Sequence, residues 1–313
     1  MTNPNSVEVA RAAKIARYMP AVWDGKLGVP VSFQVALTDT CFNRCIGCGH
    51  PQRVQKKMVC DDWLNFLSQR TGVESVCYSG GDPMAYVDFN KVMQWHVDHY
   101  VAFGMTITGF VPSYIDLVLM RNATWVRASL DAVDADVYAV VRGKTPLPKV
   151  LDSIEKMVSH GVNVELGVTL HPANEGQLPK IKAYADFHGI KTIHSRYAYP
   201  NSNPQWTDVD QGQRGVVKFN HCRAVFYQLY IDSDGSTYPC CITAGDTRKG
   251  PQANSLGNIY KEPWPVIWDR TVEYSRLELA QLPDICRSCC VKRLSEINGL
   301  CDEAVNSSGQ SFF

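Results

Sequence analysis

Three cysteines and a histidine fall within the ten residues "CFNRCIGCGH", giving C-x3-C-x2-C at Cys41, Cys45 and Cys48 with His50 just beyond. Thiolates packed this tightly, in a loop directly after a predicted strand, can converge on one side of a metal centre. Two chemistries fit the spacing. A tetrahedral zinc site needs a fourth protein ligand, for which His50 is a candidate. A [4Fe–4S] cluster held by three thiolates instead leaves one iron open to a substrate or cofactor. Spacing by itself leaves both readings standing.

The remaining cysteines form a second group. Of twelve in the chain, seven lie between Cys222 and Cys301, and none lies between Cys77 and Cys222. The N-terminus has no apolar signal segment, and no run of ~18 apolar residues marks a membrane span. The expectation is a soluble, cytoplasmic protein with no membrane partner, in which thiols serve as metal ligands or redox groups rather than disulfides. Cys60 and Cys77 sit in helix and strand patterns and read as small buried hydrophobes.

The 313 residues are 45% apolar, enough for a sizeable core, and carry 31 basic against 31 acidic side chains. That balance argues against a long nucleic-acid-binding surface while leaving recognition of a single base in a pocket open.

From Val31 to Tyr197 short β-rich runs alternate with longer amphipathic ones. "VSFQVALT", "ESVCYS", "MTITGF", "TWVRASLD", "VNVELGVTL" and "IKTIHSRYAY" read as six strands. "DDWLNFLSQR", "PKVLDSIEKMVSHG" and "QLPKIKAYADFHG" read as helices, and "VDFNKVMQWHVDHYVAFG" as a helix stopping at Gly104. The alternation implies parallel βαβ units with ligands at the strand C-termini, in an open α/β barrel. The segment "AYPNSNPQWTDVDQGQRG" breaks this rhythm and marks a boundary. Beyond it come a hairpin turning at Asp234-Gly235 and a helix carrying Trp264 and Trp268. The expected division is an N-terminal extension over 1–30, the barrel over 31–200 and a cysteine-rich domain over 201–313.

"CFNRCIGC" resembles the signature of the radical S-adenosylmethionine (SAM) superfamily. The resemblance implies that Cys41, Cys45 and Cys48 ligate a [4Fe–4S] cluster whose open iron chelates SAM. Three further elements follow in the family's order. "SGGDP" is similar to its GGEP motif, with Asp82 for the usual Glu, so Gly80, Gly81 and Asp82 are implied SAM contacts. "RASLDA" followed by "VVRGK" resembles the SLDG…RG pairing of SPASM-type members, which implies contacts from Ser129 and Arg142. One departure is Gly47, where the family usually has an aromatic residue near the adenine.

Cys222, Cys240 and the Cys286/Cys289 pair resemble the twitch domain, a shortened SPASM domain, which implies one auxiliary [4Fe–4S] cluster. The full SPASM pattern fails after Cys289, leaving Cys241, Cys290 and Cys301 without an assigned role. A zinc ribbon presents ligands in a similar way.

The resemblance as a whole implies a partial (β/α)6 barrel with a small hairpin-and-helix twitch domain. It implies reductive cleavage of SAM, fed by an external flavodoxin- or ferredoxin-like donor. The 5′-deoxyadenosyl radical would then abstract hydrogen from a small polar substrate or a modified nucleoside, ending in isomerisation or oxidation. Hypermodified thymidines of phage DNA are one such setting. Ribosomal-peptide maturation and aminocyclitol-type dehydrogenation are alternatives, and a non-catalytic protein with two zinc sites is the rival class. Tyr78, His171, His194, Arg196, Tyr197 and Tyr199 fall at strand ends, where they could move a proton or hold an anion. Trp206, Trp264 and Trp268 could stack a ring, although the four-residue spacing of the last two also suits core packing.

Overall fold

The computed structural model describes residues 13, 16–22, 27–46, 48, 55–197, 219–245, 252–284, 286 and 297–301. Its contacts divide the chain into two units. One comprises Phe33–Gln213 with Ile231–Gly235, and the other Met1–Ser32, Arg214–Tyr230 and Ser236–Phe313.

The first unit is built from β1 (Ser32–Ala36), α1 (Cys60–Ser68), β2 (Ser75–Ser79), α2 (Phe89–His99), β3 (Ala102–Ile107), α3 (Leu117–Met120), β4 (Trp125–Ser129), α4 (Ala135–Arg142), α5 (Leu147–Ser159), β5 (Val164–Leu170), α6 (Gln177–Phe187) and β6 (Ile193–Tyr197). The strands lie in sequential order, and every pair from β2 to β6 is parallel. This is an open α/β sheet of the expected kind, with helices supplying the crossovers.

Burial alternates along the strands. Val76 and Tyr78 on β2, Val126 and Ala128 on β4, and Val164, Leu166 and Val168 on β5 are buried. Phe33 on β1 meets Trp63 and Phe66 of α1 at ring separations of 6.3 and 6.0 Å. The intervening positions carry Gln34, Cys77, Ser79, Thr106, Arg127, Glu165 and Thr169, so the opposite face is polar. A parallel sheet covered by helices on both faces would read apolar throughout. Here only one face does.

The helix expected to run to Gly104 ends five residues earlier. Tyr100 takes the left-handed conformation at φ 55°, and Gly104 falls inside β3. A Cβ at Gly104 would sit 2.4 Å from the Trp125 ring. That glycine clears space for the neighbouring strand's tryptophan; it does not stop a helix. The helix Ala135–Arg142, absent from the sequence reading, follows β4 directly.

In the second unit β7 (Gln228–Ile231) and β8 (Ser236–Tyr238) are sheet neighbours, and β9 (Gly257–Asn258) pairs antiparallel with β8. α7 (Cys241–Gly245) and α8 (Trp264–Arg276) follow β8 and β9. Trp264 and Trp268 stack at 5.8 Å, both are buried, and the Trp264 indole N–H donates to the Gly28 carbonyl at 2.8 Å. They are core. Among the described residues no helix is long and apolar enough to cross a membrane.

Candidate functional site

The cysteine loop leaves β1 between fixed anchors. Thr38 bridges antiparallel to Lys57, and the Met58 N–H donates to the Leu37 carbonyl at 2.9 Å. Lys56, just before this bridge, pairs with Asp234 at 2.9 Å. Cys41, Cys45 and Cys48 are half-buried and line a cavity of about 460 Å³ with Thr40, Asn43, Arg44, Gln55 and Lys144. Gly47 and His50 lie outside the described residues.

Three thiols lining one cavity are the donor set of a [4Fe–4S] cluster held by three cysteines, in which each thiolate serves a different iron. Burial pushes the Cys45 thiol up to about 11, opposed by Arg142 and reinforced by Asp131, Cys41 and Cys48.

The glycine turn after β2 closes against the start of this loop. The Gly81 N–H donates to the Thr38 carbonyl at 2.9 Å and the Asp82 N–H to the Thr40 carbonyl at 2.8 Å. Gly80 has φ +104°, and a Cβ there would lie 2.4 Å from Ala36 Cβ, while one at Gly81 would lie 2.2 Å from the Thr40 carbonyl oxygen. Both positions require glycine. Asp82 is fully buried. Its Oδ1 accepts from the Met84 N–H at 3.1 Å, and its Oδ2 accepts from the Thr108 hydroxyl and N–H. Burial pushes its carboxyl up to about 6, opposed first by the Thr108 hydroxyl, then by the backbone bonds and Arg142. One oxygen holds the turn and the other ties it to Thr108, just beyond β3. The shorter Asp in place of Glu reaches inward, an orientation that no local pattern discloses.

The third motif follows β4. Ser129 ends that strand on the polar face, and Asp131 and Arg142 form a buried pair at 3.2 Å. The other Asp131 oxygen accepts from the Thr169 N–H at 2.7 Å. Burial works against the Arg142 charge, but Asp131 and then Cys45, Tyr138 and Cys41 more than offset it, so its pKa is pushed up. The residues around Arg142 also grip the cysteine loop. Arg44 and Ile46 donate their N–H groups to the Arg142 and Val141 carbonyls, each at 3.2 Å. Asn43 Oδ1 accepts from the Thr145 N–H at 2.9 Å, and the Thr145 hydroxyl donates to the Phe42 carbonyl at 3.2 Å. Thus all three motifs meet at one loop.

The proton-transfer candidates disperse. Tyr78 is fully buried on the helix-facing side of β2, its hydroxyl 2.7 Å from His96 Nε2 and accepting from the Trp63 indole at 3.3 Å. It belongs to the core between sheet and helices. His171 is buried and caps the turn Pro172–Asn174, its Nδ1 accepting from the Ala173 N–H at 3.1 Å. Arg196 is exposed on β6, and Tyr197 ends that strand. Tyr199 and Trp206 lie outside the described residues.

His194 joins a charged group on the polar face. Its Nε2 is 2.9 Å from Glu165 Oε2, which Arg127 also reaches at 2.8 Å. Arg127 lies 4.8 Å from the Trp125 ring centroid. Burial raises the Glu165 carboxyl, but His194 and Arg127 outweigh it and hold the pKa below the usual carboxylate value. Sequence reading missed Arg127 and Glu165. The alternation Trp125, Arg127, Ser129 along β4 was the available signal.

In the second unit Tyr274 marks the gathering of the other thiols. Its hydroxyl lies 3.6 Å from Cys286 Sγ. Burial pushes its phenol up, and the neighbouring Cys222, Cys286 and Cys240 push it further. The Asn298 amide donates to Cys222 Sγ at 3.6 Å, and Thr243 Oγ1 lies 3.8 Å from Cys240 Sγ. Cys301 is fully buried beside Tyr227. Cys241 opens α7 half-buried. Cys60 is buried, whereas Cys77 is only half-buried, on the polar face. Cys289 and Cys290 lie outside the described residues.

Residues 35–185 match the radical SAM superfamily, and residues 222–290 match the SPASM iron-sulfur cluster-binding domain. With the open parallel sheet and the three-thiol cavity, these matches make the chain a member of the radical SAM superfamily. Within it the chain is of the SPASM/twitch type, whose cofactors are SAM, a SAM-binding [4Fe–4S] cluster and auxiliary iron–sulfur.

A probable GTP 3',8-cyclase of Halobacterium salinarum is 26% identical over 161 residues, covering 47% of this chain and 45% of that protein. The chain thus spans less than half the length of this relative. The mycofactocin maturase MftC of Mycolicibacterium smegmatis is 25% identical over 305 residues, covering 84% of this chain and 76% of that one. Among solved structures, Streptococcus suis SuiB bound to precursor peptide SuiA superposes with a TM-score of 0.63 at 14% identity, covering 86% of this chain and 70% of that one. Native anSMEcpe with bound AdoMet superposes with a TM-score of 0.58 at 16% identity, covering 85% of this chain and 88% of that one. At these identities the structural likeness speaks to the fold.

Proposed function

We propose that this protein cleaves SAM at the Cys41/Cys45/Cys48 cavity and uses the radical to take a hydrogen atom from a carbon of a polar substrate. The observation that carries this reading is the tethering of the cysteine loop by both the Gly80–Gly81 turn and the 141–145 segment, around a cavity of about 460 Å³.

Cys41, Cys45 and Cys48 would hold a [4Fe–4S] cluster, which would supply the single electron for reductive cleavage of SAM, with a flavodoxin- or ferredoxin-like protein as its source. The chain's own residues do the rest. The Gly80–Gly81 backbone lets a SAM amino group approach closely, with the Asp82 carboxylate bracing the turn. Ser129 and the Arg142–Asp131 pair hold the far side of the cofactor, and the buried cation favours the thiolate form of Cys45. Cys222, Cys240, Cys286 and Cys289 hold the auxiliary cluster.

The polar face of the sheet, with Arg127, Glu165 and His194 linked across three strands, favours a small substrate rich in hydrogen-bonding groups, such as a modified nucleoside. Rearrangement or oxidation is the outcome. A second reading, maturation of a ribosomal peptide, is favoured by the match to MftC along 76% of that maturase.

The test is 5′-deoxyadenosine formation by anaerobically reconstituted protein given SAM and a strong reductant, with the Cys41/Cys45/Cys48→Ala variant as control. Product in the wild type alone supports the reading. Bound zinc with no product would overturn it. Incubation with candidate nucleosides against candidate precursor peptides then separates the two substrate classes by which one accelerates SAM cleavage.

A further inference from the structure

We propose that Tyr274 and Asn298 donate hydrogen bonds to cysteine sulfurs of the auxiliary cluster and hold its reduction potential up. This rests on the reading that Cys222 and Cys286 are ligands of that cluster.

Asn298 is fully buried, and its orientation is set within the protein. Its Oδ1 accepts from the Ala224 N–H at 2.7 Å, which turns the NH₂ group toward Cys222 Sγ at 3.6 Å. The amide cannot flip without losing the Ala224 bond, because it would then set two N–H groups against each other. Tyr274, nearly as buried, occupies the last turn of α8 with its hydroxyl 3.6 Å from Cys286 Sγ. The two donors arrive from separate elements and address different sulfurs.

A neutral thiol is a weak acceptor, so the Asn298 amide aimed at a neutral Cys222 would be poorly satisfied. Between Tyr274 and Cys286 either atom can donate until Cys286 is a thiolate, when the hydroxyl must. A metal-bound thiolate carries charge and satisfies both donors well. This donor arrangement therefore suits ligated sulfur. Thr243 is a different case. Its hydroxyl hydrogen goes to the Cys240 carbonyl at 2.9 Å, which leaves Cys240 Sγ without that proton.

Hydrogen bonds to cluster sulfurs stabilise the more negative, reduced state and so raise the potential. Removing one should make the cluster harder to reduce. For an enzyme whose auxiliary cluster exchanges an electron with substrate, these two residues would set the direction of that exchange. They are positioning residues, acting through the thiolates.

The experiment is an EPR-monitored redox titration of the reconstituted full-length protein, with the Cys41/Cys45/Cys48→Ala variant used to assign the auxiliary signal. Tyr274→Phe and Asn298→Asp are each expected to retain auxiliary iron and to move its midpoint to more negative potential, with the double variant lower than either. An unmoved or more positive midpoint in both, with iron retained, would overturn the proposal while leaving the ligand assignment intact. No auxiliary signal in the parent removes the ligand assignment and the proposal together. If Tyr274→Phe loses its cluster, Asn298→Asp decides. Loss of iron in both counts against the proposal, because donors that only tune a cluster are dispensable for its assembly.

Discussion

Asn43, between the first two cysteines, accepts a hydrogen bond through Oδ1 from the backbone N–H of Thr145 at 2.9 Å, across 102 residues of sequence. Asn43 is fully buried. The bond fastens the cluster loop to the segment that follows Arg142. Asn43→Ala leaves a buried N–H without this acceptor and should cost about 1–3 kcal/mol. Iron content at the first site and 5′-deoxyadenosine yield should fall together, with the auxiliary iron unchanged.

Gly81 admits no side chain, since its Cβ would meet the Thr40 carbonyl oxygen at 2.2 Å. Gly81→Ala must push the glycine turn away from the cysteine loop and should cost roughly 2–4 kcal/mol. Urea unfolding measures the loss, and SAM binding to reconstituted protein should weaken in parallel.

Asp131 neutralises Arg142 inside the protein at 3.2 Å. Asp131→Asn leaves a buried cation unpaired, a change that destabilises by about 3–5 kcal/mol. Adding Arg142→Met should recover part of that stability without recovering SAM cleavage, because the cation itself is then gone.

Asp82 predicts a pH dependence of folding. Its carboxyl is pushed from the ordinary 3.8 up to about 6 by burial. Between those values the native state holds a proton that the unfolded chain has released. Stability from this group is fully present below pH 4, falls as pH rises towards 6, and levels off above, with a total change on the order of 3 kcal/mol at most. In Asp82→Asn this contribution to the slope should vanish. Chemical denaturation at pH 4.5 and pH 7 compares the two proteins, and an equal slope in both would exclude Asp82 as its source.

Local patterns made most of the barrel legible. Six strand runs with apolar residues at every second position place β1 to β6 within three residues of their observed bounds. The failures arose where a residue's meaning depends on a neighbouring strand. Gly104 resembles a helix stop until Trp125 is seen lying over it. Tyr78 and His194 both look like strand-end polar residues, yet one faces helices and the other faces Glu165.

The cysteine spacing, the glycine pair and the ordered Ser-x-Asp and Arg-Gly elements carried the resemblance that implied the family and its cofactors. Those are properties of short contiguous segments, in which backbone geometry and ligand chemistry depend on residues a few positions apart. Tertiary structure alone decided which side chains serve the protein and which face outward. It turned the Asp82 carboxylate inward to Thr108, joined Arg127, Glu165 and His194 across three strands, and brought Asn298 to Cys222 from 76 residues away. Such pairings follow from strand register and helix packing over long separations, which no local periodicity encodes.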